Sequence, residues 1–431
     1  MIRRDPFYFR LFCIIFWMVG VSSFVIEEIL PFLDSLKQVI MLVSDVIILI
    51  LGLVTLKTKK DKILIVAFAV LGVLSSVVNK VPAVLWVNGF RDYIPFLMLL
   101  PLIRYFMTCD ESARFRESFD RQLKYFLILQ AFCVTEQFIL YGANDAGGGS
   151  LGFGYSGTIS MVIILLSFYF VSKNWDGDNY LRSLWENRLY VFLMFPVFLN
   201  ETKVSFLLLL VYFLLLYPFK IQSIGKMLIA LPVVLIVAAG LAWAYMWATN
   251  MDELYDLGDY LSGGTDPEEV IELAEMAIEL TESEDFDAFE LDIPRFLKLT
   301  MMPGALERTR GGLVLGAGLG HMKGWTTLER TPFARENGAL LFGTRMSAHM
   351  FFLSLGILGM IWVCFWYWDA LDFKKKEANL ALQTKLFLLM VAVLGFFYSD
   401  SFRYIVPCIV FYYLSMTSSY ALKQDKKRRK R

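Results

Sequence analysis

The stretch Ser347-Ala348-His349-Met350-Phe351-Phe352-Leu353-Ser354-Leu355-Gly356-Ile357-Leu358-Gly359 stands where a polar segment gives way to an apolar one. It opens a run to about residue 369, and ~20 apolar residues suffice to cross a hydrocarbon core as a helix. Before it lies the one long hydrophilic stretch of the chain, from roughly Thr249 to Arg345; nearly everything else is greasy. The only two histidines, His321 and His349, lie in or at the edge of that stretch.

Further apolar runs recur on both sides of it. The 431 residues are 57% hydrophobic, with a mean hydropathy of +0.56, and the 19% that are charged fall below the usual quarter of a soluble domain. Twelve spans are expected, at about 9–27, 37–56, 63–79, 94–108, 124–141, 156–172, 189–201, 203–219, 227–248, 347–369, 385–399 and 404–421. The seventh and eighth are close enough to be joined by a tight turn at Glu201-Thr202. The fold class expected is therefore an all-α polytopic membrane protein with about 12 transmembrane helices. Nine of them occupy residues 1–248, a large, partly helical outer loop residues 249–346, three more helices residues 347–421, and a basic tail residues 422–431.

Cytoplasmic loops collect Lys and Arg. With the N-terminus inside, the cytoplasmic segments hold 28 of the 41 basic residues, and eight of the other 13 fall in the long loop, where the rule has little force. This orientation puts 250–346 outside the cytoplasm. The first apolar run is long and lacks a small-residue cleavage site, so it is expected to stay as a span. All five cysteines (Cys13, Cys109, Cys133, Cys364 and Cys408) fall in spans or on the cytoplasmic side, so the outer loop has no disulfide framework. No metal-ligand spacing is present, and two lone histidines without a Cys pair argue against a zinc site.

The outer loop is divided by charge. From Met251 to Thr300 sixteen acidic residues face Arg295 and Lys298. From Met301 to Met346 there are three acidic and six basic residues, Arg308 and Arg310 among the basic. Residues 267–280 read as a solvated acidic helix with Pro267 near its start. The run Arg310-Gly311-Gly312-Leu313-Val314-Leu315-Gly316-Ala317-Gly318-Leu319-Gly320-His321 lacks the strand before it and the acidic residue after it that a nucleotide fingerprint needs. A tight backbone packing segment fits it better, with His321 structural. The other Gly-rich stretch, Gly142 to Gly149, reads as a mobile outer loop. No nucleic-acid partner is expected.

Positive charge in short outer loops runs against the orientation rule and needs a reason. Arg91 precedes the fourth span, Lys203 follows Asn200-Glu201-Thr202, and Arg403 lies in Asp400-Ser401-Phe402-Arg403. Each can be snorkelling or paired, Arg91 with Asp92 and Lys203 with Glu201. Alternatively, they converge on a phosphate or diphosphate, which arginine forks grip bidentately and lysine meets as a point charge. His349 is either a polar cap at a helix start or a general base held on a rigid helix beneath a cationic loop.

Taken together these residues resemble the O-antigen polymerase and O-antigen ligase superfamily of bacterial cell envelopes. Its members have about a dozen spans and one large periplasmic loop late in the chain. They carry a Gly-x-Gly-x-Gly-like run, here Gly316 to Gly320, then a His opening a Gly-x-x-Gly helix, here His349 with Gly356 and Gly359. Arg295 matches the arginine before the glycines best by spacing, with Arg308 and Arg310 as rivals. Thr202-Lys203 resembles the family's Ser/Thr-Arg, and Arg91 the arginine before an early span. Two departures stand out: Met350 where Asn is frequent, and Lys203 in place of an arginine.

The resemblance implies a glycosyltransferase of the bacterial inner membrane, facing the periplasm, that uses neither metal nor nucleotide sugar. Its donor is an oligosaccharide on undecaprenyl diphosphate and its acceptor a glycan hydroxyl. Arg91, Lys203 and Arg295 are expected to hold the diphosphate and His349 to take the acceptor's proton. A polymerase, with a partner that sets chain length, is favoured over a ligase acting on lipid A core because polymerases vary more in sequence. A lipid-linked glycan transporter is the reading from another class. The absence of a sequence repeat and the scarcity of mid-span charges, Glu136 being the main one, argue against it.

Overall fold

The structure is a computed structural model that describes residues 4–142, 147–175, 180–200, 203–216, 295–321, 331–337, 340, 346–372 and 379–428. The expected ninth span, the acidic helix at 267–280 and the turn at Glu201-Thr202 lie outside the described residues.

All the described secondary structure is helical. In chain order the helices are α1 (Arg4–Phe24), α2 (Asp34–Thr55), α3 (Lys59–Val78), α4 (Ala83–Arg91), α5 (Ile94–Thr108), α6 (Ser112–Tyr141), α7 (Ser156–Lys173), α8 (Tyr180–Glu186), α9 (Arg188–Phe192) and α10 (Lys203–Leu216). After the long polar stretch come α11 (Arg295–Glu307), α12 (Gly312–Leu315), α13 (Pro332–Glu336), α14 (Ser347–Leu371), α15 (Asn379–Phe397) and α16 (Ile405–Arg428).

Six described helices are long and apolar enough to cross a membrane: α1 with its continuation to Ile29, α2, α3, α6, α7 and α14. The pair α4 and α5, bent by 46° at Asp92-Tyr93, makes a seventh if it counts as one span. The expected seventh span is shorter than its hydropathy suggests. Arg188–Leu199 is a helix turning to 3-10 around Pro196, reaching roughly 18 Å against a ~30 Å core.

The helices α2 and α3 are turned inside out relative to a soluble protein. On α2, Leu36, Val39, Val43, Val46 and Ile50 are exposed while Ser44, Asp45 and Thr55 are buried. On α3, Ile63, Val66, Val70, Val73 and Val77 face out, while Asp61, Ser75 and Ser76 face in. Apolar stripes of that length exceed what soluble surfaces expose and suit contact with lipid. Almost every side chain of α5 is buried, as are those of α7, and both pack on α16.

Charge and polar contacts tie three helices together at two levels. Call the end with the glycine run the upper end. At the lower level Arg104 of α5 binds Asp61 of α3 and, at 2.9 Å, Asp369 of α14, which Lys60 also meets. At the upper level Tyr93 donates to the Ser354 hydroxyl at 3.1 Å, and Ser75 donates to the Ser354 carbonyl at 2.9 Å. Helical rise puts the two levels roughly 20 Å apart. Lys57 lies 4.2 Å over the Tyr105 ring at the lower level, and Asp45 at the upper level holds Arg91. As α2 starts at Asp34, its apolar surface rises roughly 16 Å above this upper layer. On this side the layer is therefore overtopped by the apolar face of α2.

Of the Gly-rich stretch before α7, residues 143–146 lie outside the described residues and Gly142 is exposed, but the end from Gly147 is buried: the Gly149 and Ser150 amides donate to Gln137 and Gln130 at 2.8 and 2.9 Å, and the Ser150 hydroxyl donates to the Gly20 carbonyl. Gln130 and Gln137 stand two turns apart on one face of α6, so they supply acceptors at the spacing the loop needs.

Candidate functional site

The site begins with a broken helix. Within α14, Gly356 has φ +60 and ψ −155, which interrupts the helical ladder. The carbonyls of Leu353 and Ser354, whose helical donors lie beyond the break, accept instead from Ala317 N at 2.7 Å and Gly318 N at 3.1 Å. The glycine run thus caps the break with its own backbone, because buried carbonyls need donors. Glycine is required at the contact: a Cβ on Gly356 would collide with the Leu313 and Val314 carbonyls, and one on Gly89 with the backbone of Gly320. Asn79 clamps the same run, donating to Gly316 O at 2.8 Å and accepting from Gly311 N at 3.1 Å. This bears out tight packing as the reason for the glycines.

His321, at the end of that run, is structural. It is fully buried, its Nδ1 binds the Gly318 carbonyl, and its ring meets Phe333 edge-on at 5.1 Å. Burial lowers its pKa to about 4, so the ring is neutral at pH 7.

The first segment of α14, above the break, carries His349 on its opening turn. The Ser347 amide anchors that turn to Ser399 O at 3.0 Å. His349 is 3% exposed, and its Nε2 has no hydrogen-bond partner. Lys298 of α11, itself fully buried, lies within electrostatic range of the ring. The residue after His349, Met350, has its sulfur 3.7 Å from Nη1 of Arg403. Arg403 binds Asp92 at 2.8 Å and Asp400 at 2.7 Å. Burial disfavours its charge, but the two carboxylates outweigh burial and hold the proton more tightly than usual.

Arg91 occupies the same layer through its neighbour Asp92. Its own partner is Asp45, at 2.7 Å from Nε, and not Asp92. One edge of the guanidinium is thereby fixed, and 36% of the side chain stays exposed. The layer continues through Thr158 and Ser401 hydroxyls 2.9 Å apart and through Asn200, which donates to Ser160 at 3.1 Å. Asn200 precedes the helix start at Lys203 by three residues. The lysine's side chain and that of Arg295 lie outside what is described; Arg295 opens α11 one turn before Lys298.

Arg308 and Arg310 lie elsewhere. They line a separate cleft of about 290 Å³ together with Lys80, Thr331, Glu336 and Asn337. The helix α11 connects the two places: Lys298 near His349 is at one end and Arg308 just past the other, roughly 15 Å apart by helical rise.

Arg403 thus links the neighbours of two expected site residues, Asp92 beside Arg91 and Met350 beside His349, while Arg308 and Arg310 are in another place. Sequence reasoning overlooked Lys298, Asp45 and Lys80. The signal for Lys298 was available: it and Arg295 are the only basic residues in the acidic half of the loop, and both fall in α11. No protein-family model matches the chain, and no curated protein matches it.

Proposed function

We propose that this chain is a bacterial inner-membrane glycosyltransferase with about twelve transmembrane helices and its upper face in the periplasm. It moves a glycan from undecaprenyl diphosphate to an acceptor sugar hydroxyl. The observation that carries this reading is the buried Nε2 of His349, unpartnered on a rigid helix turn with the cation Lys298 within electrostatic range.

In this reaction the acceptor hydroxyl gives its proton to His349 Nε2 as its oxygen bonds to the anomeric carbon. The bond from that carbon to the diphosphate oxygen breaks, and the lipid diphosphate leaves with the electron pair. Fixed cations offset the charge that develops on the leaving group. Arg91, Lys203 and Arg295 hold the diphosphate, and Asp45 leaves the outer edge of the Arg91 fork available. The apolar face of α2 continues above the layer and offers a lipid-linked donor a side from which to enter from the bilayer.

A polymerase is the form favoured, with a second lipid-linked unit as acceptor; a ligase would take lipid A core in the same site. The bend at Asp92-Tyr93, with the Asp92–Arg403 pair beside it, and the break at Gly356 favour a lipid-linked glycan transporter as the second reading.

The deciding experiment incubates purified protein with a synthetic lipid-diphosphate oligosaccharide. A ladder of products without added acceptor supports the polymerase, and transfer only when lipid A core is supplied supports the ligase. No turnover with either, together with movement of the lipid-linked glycan across vesicles, overturns the enzyme in favour of the transporter.

A further inference from the structure

The cleft lined by Lys80, Arg308 and Arg310 is not part of the His349 layer, and its chemistry is that of an anion site. Three cations meet one carboxylate, Glu336, and none of the three makes an ion pair with a described residue. Hydroxyl and amide groups stand beside them: Thr309, Thr331, Asn79 and Asn337 also line the walls. Its volume of about 290 Å³ is at the small end of the ~300–1,000 Å³ range of ligand pockets.

Two further observations mark it as a built site. Lys80, with φ +56, ends α3 in a hydrogen-bonded turn, its amide donating to the Val77 carbonyl at 3.1 Å and the Val81 amide to the Ser76 carbonyl at 2.9 Å, so the helix terminus fixes where the lysine stands. Its neighbour Asn79 is the residue that clamps the glycine run through Gly311 and Gly316. The turn bearing the lysine and the loop bearing Arg310 are therefore held against each other by one side chain. Arg308 stands on the third wall, at the end of α11.

We infer that this cleft binds the carboxylate or phosphate of an anionic sugar residue in the acceptor glycan, roughly 15 Å along α11 from the reacting hydroxyl. The inference rests on the proposed transferase reading for the word acceptor, but the binding itself does not require turnover. A fork-shaped guanidinium pair with a lysine suits either oxyanion. The neutral hydroxyl and amide groups suit the hydroxyls of the same sugar.

The test is titration calorimetry on the full chain in detergent, with three probes: an oligouronate, a hexose phosphate and a neutral oligosaccharide of the same length. At least one anion is expected to bind ten times more tightly than the neutral probe, and which one it is identifies the oxyanion. Binding should fall at least tenfold in R308Q/R310Q and survive in H349A, which loses transfer instead. If the double variant does not fold, the salt dependence of wild-type binding takes its place, since an anion held by cations weakens as ionic strength rises. Equal affinity for charged and neutral probes, or anion binding that ignores both the double variant and salt, overturns the inference. Loss of transfer in H349A with anion binding intact separates its failure from that of the transferase reading.

Discussion

Asp45 accepts a hydrogen bond from Arg91 Nε at 2.7 Å, across a sequence separation that crosses two helices. The pairing turns what looked like a snorkelling arginine into an oriented one. Asp45 sits at the midpoint of α2, buried, and fixes one edge of a half-exposed guanidinium.

Replacing Asp45 with Asn should loosen that orientation without removing the cation. If Arg91 holds the donor's diphosphate, KM for the lipid-linked donor rises roughly fivefold, or about 1 kcal/mol, with kcat little changed. Steady-state kinetics in detergent reads this directly; unchanged KM would detach Asp45 from donor binding.

His349→Ala should abolish transfer while expression, detergent elution and melting temperature stay near wild type. The residue caps nothing through Nε2, so its loss opens only a small void. Wild-type-like turnover would remove the general base from the mechanism.

Arg403→Gln should be strongly destabilising, by about 3–5 kcal/mol, because it leaves Asp92 and Asp400 buried without their cation. The triple change D92N/R403Q/D400N should recover much of the loss. Chemical unfolding of the three proteins compares them, and a triple variant no better than the single one contradicts the charge argument.

Two glycines should behave oppositely. Gly356→Ala meets both a positive φ and the carbonyls of Leu313 and Val314, and should cost about 2 kcal/mol or more. Gly304→Ala, inside α11 with open space around it, should stabilise by up to about 1 kcal/mol. Melting temperatures that move the same way in both variants would contradict the assigned packing.

His321 makes stability depend on pH. Its folded pKa of about 4 lies below the ordinary 6.5, so the unfolded chain takes up a proton first as pH falls. Its stabilisation is complete above pH 6.5, declines between 6.5 and 4, and amounts to about 3 kcal/mol over that window. The melting temperature measured from pH 7.5 to 4.5 should fall in the wild type and fall less in His321→Gln.

Particular residues show how much of this was legible beforehand. The helices whose apolar stripes face outward, α2 and α3, follow from hydropathy alone, as do the placement of His349 at a helix start and the packing role of the glycines. Hydropathy does not register a bend. The expected span at about 94–108 matches α5, but the stretch before it, read as a loop carrying Arg91, is the helix α4, set at 46° to α5, and Asp92 at the junction pairs with Arg403 more than 300 residues away in sequence. Asp45 was hidden for a similar reason: a single carboxylate in an apolar helix becomes affordable only once Arg91 is beside it. The anchoring at the end of the Gly-rich stretch was hidden because composition shows the glycines but not the two glutamines of α6 that receive the Gly149 and Ser150 amides. Lys80 was hidden because only the fold brings the end of α3 against Arg308 and Arg310.

The capped break in α14 bears on how the protein can be made and dissected. Ala317 and Gly318 give their amides to a membrane helix rather than to each other or to water, so the polar segment before that helix is not a detachable domain. Excising it would strand the Leu353 and Ser354 carbonyls, and producing it by itself would strand the amides. Truncations that aim for a soluble fragment should therefore aggregate, whereas two coexpressed halves split within 217–294 retain this seam on one polypeptide and have a route to reassembly.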